Sequence, residues 1–122
     1  MSPAVRALRG ATTVDDDTPE QITERVGALV NEMLARNDVD KDDLISVIFT
    51  ATDDVTSMFP AAAARAVGLG DVPLLCAREL AIQGGTARCI RVLMHLSTER
   101  SRSELRHVYL AGAEGLRDDL PV

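Results

Sequence analysis

Cys89-Ile90-Arg91-Val92-Leu93-Met94-His95-Leu96 is the stretch whose reading decides the fold. Its residue types suit a β-strand, placed here over 88–96. Alternation sends Ile90, Val92, Met94 and Leu96 to one face and Cys89, Arg91, Leu93 and His95 to the other. The first set is an apolar face that calls for helices packed on it. The second carries a guanidinium that cannot shed its proton, and such a cation in a strand is costly unless a partner neutralises it. On this stretch alone Arg91 reads equally as an exposed sheet arginine in a surface ion pair. Leu93 on the same face tilts the reading toward a cleft or a subunit interface.

Two more strand-like segments repeat the pattern. Arg9 ends Val5-Arg6-Ala7-Leu8-Arg9, and Arg78 with Glu79 interrupts the run 72–80, Val-Pro-Leu-Leu-Cys-Ala-Arg-Glu-Leu. Several arginines in strands together fit a pocket for something anionic, such as a small carboxylate. Each residue also has a plainer role. Glu79 can bridge to Arg78 or another arginine, Cys76 can be a small buried hydrophobe, and Tyr109 can simply pack with its hydroxyl in water. Strict alternation sets Cys76 and Glu79 on opposite faces, so both meet one ligand only if a bulge or the strand end re-aims one of them.

Around these segments the chain organises itself clearly. A first strand covers 4–9, followed by a polar turn through Thr12, Thr13 and Asp15–Asp17. Thr18-Pro19-Glu20-Gln21 is a helix start with Thr18 as N-cap, Pro19 at the first helical position and Gln21 closing a capping box. Ile22, Val26, Leu29, Val30, Met33 and Leu34 follow at helical spacing, and the helix ends near Asn37. Asp40–Asp43 is a turn before the continuous run 44–50, which reads as a buried strand. Phe59-Pro60 leads into an alanine-rich helix over Ala61–Val67, stopped by Gly68 and Gly70. Gly84-Gly85 is a turn, Ser101 and Glu104 form a short capped turn, and His107–Leu110 closes the chain. The order βαβαββ plus a closing segment predicts an α+β fold, a mixed β-sheet with helices on one face.

With 122 residues and a net charge of −6, one domain (1–122) is expected. Nucleic acid is excluded as a general partner, since no basic stripe exists. The absence of Trp, with two Phe and one Tyr, makes the core aliphatic. No apolar run approaches membrane-spanning length, and nothing resembles a signal peptide. Cys76 and Cys89 are expected as thiols in a cytoplasmic protein. A zinc site from Cys76, Cys89, His95 and His107 would need four scattered ligands with no short-spaced pair. Nucleophile elbow, P-loop and dinucleotide fingerprint are all missing. Spacing and composition stop at an anion-binding α+β domain that oligomerises.

Six ordered blocks carry a further reading: Arg9-Gly10-Ala11-Thr12-Thr13-Val14, Phe59-Pro60-Ala61, Val72-Pro73 with Cys76 and Glu79, Cys89-Ile90-Arg91-Val92, Arg106-His107-Val108-Tyr109-Leu110, and Leu116-Arg117. Together they resemble the monofunctional chorismate mutases of the small trimeric class over nearly the whole chain. The resemblance implies an isomerase that turns chorismate into prephenate by a [3,3] rearrangement in aromatic amino-acid biosynthesis, with no cofactor and no metal. It implies a homotrimer whose sheets form a pseudo-α/β barrel, with active sites at the subunit interfaces. Arg9 and Tyr109 would then bind substrate carboxylate, and Arg91 the ether oxygen and a carboxylate. Glu79 and the segment Leu75-Cys76-Ala77-Arg78 would contact the substrate around its ring hydroxyl, and Phe59 and Arg65 would line the site from the adjacent subunit. Members of the class often carry lysine where Ala62 stands, have a longer Gly68–Asp71 loop, and have proline at Asp118. A trimeric small-metabolite-binding or enamine/imine deaminase-like module is the competing reading. It also sets an arginine at a subunit interface, and the full set Arg9, Glu79, Arg91 and Tyr109 discriminates between them. A purely structural oligomerisation domain leaves the strand arginines unexplained.

Overall fold

The computed structural model describes residues 3–116; Arg117 and the tail with Asp118 lie outside them. Five strands form one mixed sheet: β1 (Ala4–Thr13), β2 (Leu44–Ala51), β3 (Leu74–Arg78), β4 (Cys89–Thr98) and β5 (Val108–Tyr109). Their order is β3-β2-β4-β1-β5. β4 lies antiparallel to both β1 and β2, whereas β2 pairs with β3 and β1 with β5 in parallel. Two helices, α1 (Pro19–Arg36) and α2 (Pro60–Ala66), complete the α+β architecture. Both pack on the same sheet face, where Leu8, Val47, Phe49, Ile90, Val92, Met94 and Leu96 join the apolar stripe of α1 in one buried cluster. Burying that aliphatic surface is the main stabilising term, at about 25 cal/mol per Å².

α1 starts as its sequence demands, with Thr18 Oγ1 accepting from Gln21 N at 3.2 Å and Pro19 in the first turn. The reciprocal half of the expected capping box is not made. Gln21 Oε1 instead accepts from the amides of Asp15 and Asp16, while Thr18 N donates to Asp16 O. The turn before the helix folds back far enough to take the glutamine for itself. α2 ends at Gly68, whose φ of 105° is a left-handed conformation that glycine adopts freely.

Three strands differ from the sequence reading. β1 runs on through Thr12 and Thr13, which are buried strand residues and no polar turn; they pair with Ile90 and Cys89 of β4. Gly10 permits this, because α1 crosses so closely that a Cβ there would collide with Met33 Sδ and come within 3.2 Å of Leu29. β3 is shorter than 72–80. Its last rung is Glu79 N to Ala51 O, after which the chain leaves the sheet. β2 is buried on its helix side only, since Ser46, Ile48 and Thr50 remain half-exposed on the opposite face. A bulge between Leu44 and Ser46 leaves Ile45 outside the pairing, 44% exposed.

Candidate active site

The face turned away from the helices brings together four of the predicted residues, Arg9, Glu79, Arg91 and Tyr109. Register sets them in rows. Thr50, Arg91, Ala11 and Tyr109 are successive neighbours across β2, β4, β1 and β5, and Ile48, Leu93 and Arg9 form the next row. Neighbouring strands are about 4.8 Å apart, so Arg91 and Tyr109 stand about 10 Å apart with the small Ala11 as floor between them. These residues and Glu79 line a concavity of about 300 Å³. A second hollow of about 590 Å³, walled by the 79–87 loop, shares Glu79 and Arg91.

Glu79 reaches this face by simple alternation from Leu75 and Ala77, just past the end of β3. Its Oε2 accepts from Thr50 Oγ1 at 2.5 Å and lies 3.3 Å from Arg91 Nε. The carboxylate thus faces the Nε edge of the guanidinium as an ion pair, and the terminal nitrogens carry four of the group's five N–H donors. Buried Cys89 lies under Arg91, and desolvation pushes its thiol pKa up, with the arginine's charge pulling the other way. A thiol held protonated this way is no nucleophile.

Cys76 goes the other way. Its side chain packs toward the helix-side core and lines a separate hollow of about 450 Å³ with Phe59, Pro60, Ala77 and Arg78. The strand end leaves Cys76 and Glu79 apart, as alternation alone would have them. Phe59 is 72% exposed at the rim of that hollow. Arg78 pairs with Asp53 at 3.2 Å, both side chains largely in solvent. Leu75, 62% exposed, stands on the same open face as Ile48 and Leu93. Arg65 is exposed on α2 and lines neither hollow. One chain therefore carries two distinct hollows: a charged one with Arg9, Glu79, Arg91 and Tyr109, and another with Phe59 and Cys76.

The loops that frame these hollows are pinned by carboxylates. Asp54 accepts from the Thr52 hydroxyl and from Arg88 N, and these bonds, the hydroxyl's first, hold its carboxyl below the ordinary value. Asp17 accepts from the hydroxyls and amides of Thr56 and Ser57, which lowers its pKa to about 2 and ties the segment before Phe59 to the start of α1. Thr50 is the site residue that sequence reasoning missed. Its place on the Arg91 face was readable from alternation along 44–50, but its contact with Glu79 depends on how β3 ends. Among the described residues, no group of three or more His, Cys, Asp or Glu could hold a metal ion.

The family model for chorismate mutase type I matches residues 5–120. The chain is 48% identical over 117 residues to the chorismate mutase AroH of Thermus thermophilus, spanning 95% of this chain and 96% of that protein. It is 38% identical over 117 residues to the AroH of Bacillus subtilis, spanning 95% and 92%. A solved chorismate mutase from Clostridium thermocellum superposes with a TM-score of 0.87 at 43% identity, covering 89% of this chain and 97% of that one.

Proposed function

Because the chain belongs to the chorismate mutase type I family, we propose that its charged half-site is where the reaction occurs and that a second copy of the chain completes it. The activity itself follows from the family: this is a chorismate mutase, an isomerase converting chorismate to prephenate in aromatic amino-acid biosynthesis. The proposal concerns the residues, the assembly and the compartment.

The reaction is unimolecular. A C–O bond breaks as a C–C bond forms, and no proton has to move, so the chemistry calls for neither a base nor a nucleophile. Two tasks remain for the protein. The flexible dianion must be held in a compact chair-like conformer, which is an orientation problem. Its ether oxygen gains negative charge as the bond lengthens, and a donor fixed beforehand favours that state over the ground state.

Arg91 performs the second task. The observation that carries this reading is its ion pair with Glu79 on the open sheet face, in one concavity with Arg9 and Tyr109. Arg9 and Tyr109 bind substrate carboxylate, with Arg91 contributing to a carboxylate as well. Glu79, steadied by Thr50, accepts from the ring hydroxyl. Two arginines and one glutamate leave a net charge of +1 opposite a dianion, so the attraction is local in a chain whose total charge is −6.

Phe59 and the segment Leu75–Arg78 supply the apolar wall, and Arg65 a further cation, from the neighbouring copy. The support is that Cys76 and Glu79 line different hollows in one chain. A neighbouring copy that presents its Phe59 and Cys76 hollow to this face would let a single ligand touch both sets. The open face, with Leu75 and Val5 more than 60% exposed beside Ile48 and Leu93, is apolar enough to be covered, and a homotrimer closing into a pseudo-α/β barrel covers it. The whole chain 1–122 acts as one domain in the cytoplasm, in keeping with two cysteines that are not joined to each other.

The test is ultraviolet loss of chorismate on adding purified protein, with the product identified as prephenate and the mass in solution measured alongside. Turnover that survives removal of Arg91, or an active monomer, would overturn the proposed site.

A further inference from the structure

β5 is two residues long, yet it must hold Tyr109 beside β1. What starts it is a side chain. The main-chain N–H of Arg9 donates to Nδ1 of His107 at 2.9 Å. A peptide N–H can only donate, so Nδ1 must carry the lone pair and the neutral ring its proton on Nε2. Two residues on, Leu110 N donates to Ala11 O at 2.9 Å. Between those ties lie the pairs Gly10–Val108 and Ala11–Tyr109.

His107 is itself delivered by a rigid anchor. Asn37, 1% exposed at the end of α1, grips the preceding residue on both sides. Its Nδ2 donates to Arg106 O at 2.8 Å, and its Oδ1 accepts from Arg106 N at 2.6 Å. A third bond, Nδ2 to Met33 O at 2.8 Å, ties the same side chain to the helix. The path from the helix end to Arg9 is therefore continuous through Asn37, Arg106 and His107. Arg9 is exposed and its long side chain has many rotamers, so where its guanidinium can reach is set by how firmly its backbone is held.

We propose that His107 is a positioning residue for Arg9, its Nδ1 standing in for a main-chain carbonyl to hold β1 and β5 in the register that sets Arg9 and Tyr109 as diagonal neighbours on one face. The inference rests on the reading of Arg9 as a carboxylate-binding residue. His107 acts on substrate affinity through Arg9 and leaves the bond-breaking step to Arg91.

Four variants test it by steady-state kinetics: Arg9→Ala, His107→Leu, His107→Asn and the double variant Arg9→Ala/His107→Leu. Arg9→Ala is expected to raise KM with kcat little changed. His107→Leu should raise KM about five-fold, the equivalent of one ordinary hydrogen bond. His107→Asn, whose Oδ1 lies where Nδ1 lay, should restore the wild-type KM. The double variant should be no worse than Arg9→Ala, because the second change removes an effect already lost. If Arg9→Ala leaves KM unchanged, the reading of Arg9 falls and this inference falls with it. If Arg9→Ala raises KM but His107→Leu does not, or the two effects multiply, the inference alone falls. Should His107→Leu fail to fold, ¹⁵N spectra of the wild-type imidazole decide: a bare Nδ1 coupled to the Arg9 amide supports the proposal, and a protonated Nδ1 overturns it.

Discussion

Replacing Arg91 with alanine separates a catalytic cation from a structural one. In the free chain the Arg91 side chain is 45% exposed and its partner Glu79 22% exposed. An ion pair this open contributes about 0–1 kcal/mol to stability, and Thr50 still holds the carboxylate at 2.5 Å after the arginine is gone. The melting temperature of Arg91→Ala should therefore fall by only a few degrees. On the proposed reading, with substrate bound the same guanidinium faces an oxygen that becomes anionic inside a filled site. Losing a donor aimed at developing charge costs about 3–4 kcal/mol, roughly a few hundred-fold in kcat. The assay is chorismate disappearance with kcat and KM resolved, beside a thermal melt on the same preparation. A large drop in kcat with near-native stability is the expected pair of results. Arg91→Lys, which keeps charge but loses the planar fork, should recover part of the activity. Turnover close to wild type, or a rise in KM with kcat intact, would refute the assignment of Arg91 to the ether oxygen.

Glu79→Gln should retain more activity than Glu79→Ala, since the amide oxygen still accepts a hydrogen bond; equal rates for the two would contradict the acceptor role. Asn37→Leu should lower the urea midpoint, because it strands the amide and carbonyl of Arg106 at a cost of about 1–3 kcal/mol for each group left unsatisfied; a midpoint unchanged from wild type would show that water replaces the clamp. Gly10→Ala should cost about 1–3 kcal/mol, as Met33 is fully buried and cannot swing aside; native stability would mean that α1 can shift outward. Asp17 has its pKa depressed from 3.8 to about 2 by its bonds to Thr56 and Ser57. Its contribution is present above pH 3.8 and is lost as pH falls toward about 2. Asp17→Asn should flatten the acid side of the melting profile in that window, and an unchanged profile would remove Asp17 as its source.

How much the chain reveals on its own depends on the kind of contact. The 89–96 alternation is self-contained, and both faces were assignable from it: Ile90, Val92, Met94 and Leu96 are buried under the helices, and Arg91 and Leu93 stand opposite. The α1 stripe is equally local. The extent of β1 is not, because Thr12 and Thr13 look like turn residues and become strand only through pairing with β4 and the close crossing of α1 over Gly10. The separation of Cys76 from Glu79 follows from strand geometry, whereas the Thr50–Glu79 contact requires knowing that β3 ends at Arg78. Asn37 reads as an ordinary helix end, and its hold on Arg106 spans 69 positions. Local periodicity is written in the chain; long-range hydrogen bonds between main chain and side chain are not.

The most direct test is a crystal structure with a bicyclic ether dicarboxylate that mimics the rearranging substrate. The bridging oxygen should lie within hydrogen-bond distance of the Arg91 guanidinium, with Arg9, Glu79 and Tyr109 from the same chain and Phe59 from a neighbouring copy around it. A mimic bound away from Arg91, or enclosed by one chain alone, would contradict the account.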